Sequence, residues 1–305
     1  MSTEKLHVVT GAFGYSGRHI AARLLEQGVR VRTITGHPDR PDPFGGRVEV
    51  AKLDFGDPDA LAGSLAGAEV LYNTYWVRFD HGDTTHERAV ANTEVLFRAA
   101  AAAGVERVVH VSITNPTPDS RLPYFRGKAR LEASLAATGL PHAILRPTVF
   151  FGGRDVLINN IAWLLRRMPV FGVPGRGQYG VQPIHVEDVA RLAIEHGKHR
   201  DNVIIDAVGP ETFSFLELVR LVARSIGSHS LIVPMPRWLV LVASRVLSSW
   251  VHDVVLTPDE VDGLMADLLV SEREPTGEIV FSKWLRDHAG ELGREYASEL
   301  GRHYQ

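Results

Sequence analysis

Leu6-His7-Val8-Val9-Thr10-Gly11-Ala12-Phe13-Gly14-Tyr15-Ser16-Gly17-Arg18 is the stretch whose reading decides the fold. Its first five residues, mostly apolar and β-branched, read as a buried strand. Residues 17–27 read as a helix closed by Gly28, a residue suited to the position just past a helix end. Between the two, Gly11, Gly14 and Gly17 form a G-x-x-G-x-x-G turn. There the first glycine allows the tight turn, the second lets a pyrophosphate approach the backbone, and the third lets helix pack on strand. The helix N-terminus adds N–H groups and the positive end of its dipole. A dinucleotide is therefore expected here, with Gly11, Phe13, Gly14, Tyr15 and Gly17 around its phosphates.

Outward from this turn, apolar strands and alanine-rich helices alternate. Strands are expected at 29–35, 48–53, 70–73, 107–112 and 143–146. Helices are expected from Pro58, with Asp57 as its cap, and over 86–103 and 123–138. Such alternation predicts an α/β fold, a doubly wound parallel sheet of Rossmann type covered on both faces. The dinucleotide-binding domain is expected over 1–150. A smaller, mainly helical substrate or lid region is expected over 151–305, with 181–208 rejoining the sheet. Glycines between Gly152 and Gly180 read as loops over a site.

Composition narrows the partners. A net charge of −3 gives no basic field for nucleic acid. The chain has no cysteine, which removes disulfides and thiolate chemistry and fits a reducing cytoplasm. Met1-Ser2-Thr3-Glu4-Lys5 runs straight into the first strand, so no signal peptide is expected. The apolar stretch 231–251 is interrupted by Pro234, Pro236, Arg237 and Arg245 and is not expected to span a bilayer. Packing over a pocket or at a dimer face is preferred for it over membrane contact, which leaves a monomer or homodimer. Fourteen histidines invite a metal, but neither His81 with His86 nor His196 with His199 has a convincing carboxylate partner, and no metal site is expected.

The end of the second strand reports on the adenosine ribose, where an acid selects NAD and a basic residue accommodates the 2′-phosphate of NADP. Here Thr35-Gly36-His37-Pro38-Asp39-Arg40 has no acid at the strand end, and His37 and Arg40 favour NADP(H) over NAD(H). Asp54 reads equally as an adenine contact or a turn residue. Asn73 ends the fourth strand where the chain passes the nicotinamide ribose, and Tyr75 and Trp76 wall a pocket or pack beneath it. Asn159 and Asn160 reach toward substrate or cap a helix.

Tyr124 and Lys128 lie four apart on one helix and project to one side. An ammonium beside a phenol favours the phenolate and lowers a pKa that starts near 10. Such a tyrosine can exchange a proton with a carbonyl or alcohol while hydride moves to or from nicotinamide. Ser112, with Thr114 as a second candidate, is expected to donate to the substrate oxygen.

The glycine turn, Val109-His110-Val111-Ser112, Tyr124-Phe125-Arg126-Gly127-Lys128 with Glu132, and Ile144-Leu145-Arg146-Pro147 together resemble the short-chain dehydrogenase/reductase superfamily, over about residues 5–215. The pattern looks most like its extended and atypical branches, including proteins related to the nucleotide-binding accessory subunit of respiratory complex I. The resemblance implies a bound NAD(P)(H), with Pro147 and Thr148 lining the nicotinamide side. Hydride transfer to or from a small carbonyl or alcohol is the leading expectation, with Tyr124 as acid/base. A non-catalytic redox sensor or accessory subunit is the alternative, and a sugar-nucleotide-type epimerase or dehydratase a second one.

Overall fold

The computed structural model describes residues 5–153 and 155–303. Met1–Glu4, on which the signal-peptide expectation rests, lies outside the described residues. The chain runs β1 (Leu6–Thr10), α1 (Tyr15–Glu26), β2 (Arg30–Thr35), β3 (Val48–Lys52), α2 (Pro58–Leu65) and β4 (Ala68–Asn73). It continues through α3 (His86–Ala102), β5 (Arg107–Val111), α4 (Pro123–Ala137) and β6 (His142–Pro147). Five elements then depart from the alternation: β7 (Phe150–Phe151), α5 (Leu157–Arg167), β8 (Val170–Pro174), β9 (Gly180–Val181) and β10 (Ile184–His185). The alternation resumes with α6 (Val186–Gly197) and β11 (Val203–Ala207). The remainder is β12 (Phe213–Ser214), α7 (Phe215–Ser225), β13 (Leu231–Met235), α8 (Arg237–Val251), α9 (Pro258–Met265), α10 (Phe281–His288) and α11 (Leu300–His303).

Two compact units emerge, one of residues up to Pro147 with Val186–Asp206, the other of Thr148–His185 with the residues from Ala207 onward. The first holds a seven-stranded sheet of order β11-β6-β5-β4-β1-β2-β3. Each pairing from β3 through to β6 is parallel. Their carboxyl ends, Thr10, Thr35, Asn73, Val111 and Pro147, therefore share one edge. Within 181–208, β11 joins this sheet, whereas β9 pairs with β12 and β10 with β7.

Alternation along β1 sends Leu6 and Val8 into a core with Leu61 of α2, Leu96 of α3 and Leu131 of α4. On the other face α1 packs against α6, and α6 against β4, β5 and β6. Each fully buried aliphatic side chain here contributes about 1.5–3 kcal/mol. Asp57 caps α2 as expected, accepting from Ala60 N at 3.0 Å with Pro58 behind it.

The second unit has its own core around Phe151, Ile158, Val173, Leu218, Phe281 and Leu285. The glycine-rich span read as loops contains a helix and a strand, α5 and β8. Glycines flank these elements without entering α5, whose Ile158, Ile161, Ala162 and Leu165 keep a helical period. The mainly helical reading of 151–305 also needs correction at Leu231–Met235, a strand parallel to β8 despite Pro234. The helix of that stretch begins only at Arg237, and it leaves Trp238, Val242, Val246 and Trp250 exposed. No helix among the described residues is long and apolar enough to cross a membrane.

The turn between β1 and α1 has little steric freedom. Gly11 takes φ +62°, and a Cβ on Gly17 would lie 2.4 Å from the Gly11 carbonyl oxygen. Gly17→Ala is expected to push α1 off β1 and cost about 2 kcal/mol or more. A thermal melt that leaves the variant at the wild-type midpoint would contradict this packing.

Candidate active site

The glycine turn presents backbone to the shared sheet edge. Gly11 N donates to Ile34 O at 3.0 Å, Gly14 N to Gly11 O at 2.8 Å, and Ala12 N to the buried Thr33 Oγ1 at 2.9 Å. Gly14 is the cap residue of α1 and offers no side-chain bond to it. A Cβ on Gly14 would come within 3.1 Å of Gly11 O, so the concave side of the turn stays backbone-lined. That cradle fits a pyrophosphate. Phe13 leans on Phe44 with ring centroids 6.3 Å apart, and Tyr15 meets His19 edge-on at 6.0 Å.

At the end of β2, Thr35 Oγ1 accepts from His37 N at 3.0 Å. Partial burial and then the nearby Arg40 charge lower the His37 pKa. Asp54 accepts from Lys52 Nζ at 2.7 Å and from Gly56 N at 3.0 Å, the bonding of a turn residue. Asn73 is fully buried and its amide is committed within the sheet. Its oxygen accepts from Tyr75 N at 3.1 Å and Thr10 Oγ1 at 3.3 Å, and its nitrogen donates to His110 Nδ1 at 3.0 Å. His110 is thereby a core histidine whose pKa burial holds well below the ordinary value.

Tyr124 stands on the first turn of α4, half-buried, with its ring edge-on to Trp76 at 5.4 Å and to His86 at 5.6 Å. One turn on, Lys128 is 2% exposed. Its Nζ donates to Val111 O at 2.8 Å and lies 4.3 Å from the centroid of the Trp76 ring. Gly127 makes this packing possible, because a Cβ there would press to 3.0 Å against both Trp76 and Val90. Burial lowers the Lys128 pKa to about 7, against a smaller opposing pull from Glu132.

Glu132, a further turn along, gathers Ser112 and Arg146. Its Oε1 accepts from Ser112 Oγ at 2.6 Å and Arg146 Nε at 3.0 Å, and its Oε2 from Arg146 Nη2 at 2.5 Å. The hydroxyl expected to donate to a substrate oxygen thus gives its hydrogen to Glu132 and keeps only acceptor capacity outward. Thr114 N donates to Pro147 O at 2.9 Å, tying the β5 and β6 ends together. Asn115, next in the chain, sits at φ +54°.

Tyr124, Lys128, Ser112 and Asn73 therefore gather in the first unit near the carboxyl ends of β4 and β5. Thr148 belongs to the second unit, where its hydroxyl donates to Gln182 O. Asn159 and Asn160 are also there and pin the C-terminal segment: Asn159 Nδ2 donates to Glu295 O at 2.9 Å and Asn160 Nδ2 to Ala297 O at 3.0 Å. Asp155, not either asparagine, bonds the first turn of α5, accepting from Ile158 N at 2.7 Å. The sequence offered His86 only as a metal candidate without a carboxylate partner, whereas Asp80 bonds its Nδ1 at 2.8 Å, and Glu132 was assigned no contact. The spacing of His86 from His81 carried no hint of Tyr124, and Glu132 was visible only through the resemblance.

Residues 11–195 match the NAD(P)H-binding family, and the chain belongs to it. The resemblance to the extended short-chain dehydrogenase/reductase branch is borne out by its relatives and fold. It is 25% identical over 284 residues to the 40 kDa subunit of NADH-ubiquinone oxidoreductase of Neurospora crassa, covering 88% of this chain and 72% of that one. It is 27% identical over 263 residues to a ceramide reductase of Caulobacter vibrioides, covering 82% and 80%. The triphenylmethane reductase of Citrobacter sp., solved with NADP(H), shares the fold at TM-score 0.73 and 17% identity, over 93% of this chain and 99% of that one.

The buried lysine has a measurable consequence. Below pH 7 the folded and unfolded states both hold its proton, and the folded state bears the full cost of the buried ammonium. Between about 7 and 10.5 the folded state has released that proton while the unfolded state keeps it, so stability rises with pH. Lys128→Met is expected to stabilise the protein by about 3 kcal/mol at pH 6, with the gain shrinking toward pH 10. Urea melts showing a pH-independent or negative effect would contradict a buried, weakly basic Lys128.

Proposed function

We propose that this protein is an NADP(H)-dependent oxidoreductase that interconverts a small carbonyl and its alcohol. The observation that carries the reading is the burial of Lys128 one helical turn from Tyr124, on the sheet edge that also presents the glycine cradle. An ammonium held at a cost in stability is what a site retains for charge work.

The cofactor supplies or takes up hydride at its nicotinamide. Gly11, Gly14 and Gly17 hold its pyrophosphate, and Arg40 with His37 receives the 2′-phosphate, for which a guanidinium fork is well shaped. Lys128 holds the nicotinamide ribose and favours the phenolate form of Tyr124. Tyr124 gives its proton to the substrate oxygen in reduction and takes it back in oxidation. Ser112, its hydrogen fixed on Glu132, makes no donation to the substrate oxygen; it anchors the carboxylate that also holds Arg146.

A subunit that holds NADP(H) without turning it over is the second reading, favoured by the packing of Trp76 and His86 against the Tyr124 ring. A panel of aldehydes, ketones and quinones with NADPH, followed by nicotinamide absorbance, separates the two. The oxidoreductase reading predicts turnover that Tyr124→Phe reduces about 100-fold or more. In the same assay Arg40→Ala is expected to weaken NADPH about tenfold and leave NADH unchanged. Equal rates for wild type and Tyr124→Phe would remove the catalytic assignment, and binding without consumption would favour the second reading.

A further inference from the structure

His86 is a buried titratable group with no place in the chemistry above. It is 7% exposed and opens α3. Asp80 Oδ1 accepts from both its backbone N–H, at 2.7 Å, and its Nδ1, at 2.8 Å. In the neutral ring a carboxylate at Nδ1 places the hydrogen on that nitrogen and leaves Nε2 an acceptor. Nε2 is buried and has no hydrogen-bond partner, as is the Nε1–H of Trp76, whose ring centroid is 5.8 Å away.

A purely structural histidine accounts poorly for this arrangement. The α3 N-terminus already has Thr85, whose side chain accepts from Arg88 N at 3.1 Å. An unpartnered buried nitrogen costs free energy that an aromatic hydrocarbon in the same packing would avoid. The rings packed on the imidazole are those of the candidate site: the Tyr124 ring lies edge-on with centroids 5.6 Å apart, and Lys128 sits across the Trp76 ring. At the other end of the imidazole, the Asp80 side chain is 55% exposed. His86 thus packs its ring against the tyrosine and bonds, through Nδ1, a carboxylate in contact with water.

We propose that His86 is the proton carrier for Tyr124, an inference that rests on the oxidoreductase reading. In alcohol oxidation the substrate hydroxyl gives its proton to the Tyr124 phenolate as hydride leaves carbon for NADP. The phenol proton then passes to His86 Nε2, and the imidazolium so formed is neutralised by the Asp80 carboxylate until product leaves and the proton returns to water. Reduction runs the same transfers backwards, one proton and one hydride adding across the carbonyl. His86 acts through Tyr124 and is a positioning and proton-carrying residue, with Asp80 setting its tautomer.

Two measurements on the full chain decide the matter. The first needs no turnover: 15N NMR of the histidine rings at pH 8, with His86 assigned through His86→Gln. A bare Nε2 with a protonated Nδ1, whose Nε2 resonance shifts in Tyr124→Phe, is expected. A protonated Nε2, or one indifferent to Tyr124→Phe, overturns the proposal. The second uses NADPH with 9,10-phenanthrenequinone as the carbonyl probe. His86→Gln is expected to lower kcat about tenfold with KM unchanged and to be restored by added imidazole, while Asp80→Asn lowers kcat a few-fold. A loss carried by KM or by the melting temperature, without imidazole rescue, assigns His86 a structural role and overturns the proposal. Absence of wild-type turnover counts against the oxidoreductase reading, and the NMR result still decides the state of His86.

Discussion

The site depends on one interaction, the ammonium of Lys128 held out of water between the Val111 carbonyl and the face of Trp76. A lone buried charge is among the least favourable things a core can contain. The neighbours that make it tolerable are also the parts of the candidate site. Val111 closes β5, Trp76 follows β4, and Gly127 clears the space in which the indole lies against α4. Glu132, one turn further along, adds a weak electrostatic pull and at the same time gathers Ser112 and Arg146. Moving the lysine would therefore disturb the ends of two strands and one helix together.

The glycine cradle is the second fixed point, and its constraint is steric. Gly17 carries α1 so close to Gly11 that no side chain fits between them. The two features rest on different physics and sit on the same edge because the strands between β3 and β6 run parallel. Such an edge gathers ligands in doubly wound folds, and membership of the NAD(P)H-binding family says which ligand class this one serves.

What could be read from the sequence follows a physical division. The turn 11–17, the cap at Asp57 and the spacing of Tyr124 and Lys128 are local, so backbone geometry and helical period expose them directly. The pairing of Ser112 with Glu132 across twenty residues, and the seat of His86 beside Tyr124, arise only when separate elements pack. The region from 152 to 180 misled for a different reason. Its glycines mark element ends, not an absence of elements, and the apolar period of α5 between them carried the stronger signal. Asn73 illustrates a polar residue at a suggestive position whose groups are all committed to joining β1, β4 and β5.

Burial lowers the Lys128 pKa to about 7, so the lysine is only partly protonated near neutral pH, and cofactor binding at the proposed site is expected to complete its charge. Calorimetric titration of NADPH at pH 7.5, in buffers of different ionisation enthalpy, reads the protons taken up on binding. Uptake of roughly three-quarters of a proton by the wild type, and almost none by Lys128→Met, is expected. Equal uptake by both proteins, or none by the wild type at full occupancy, would contradict it.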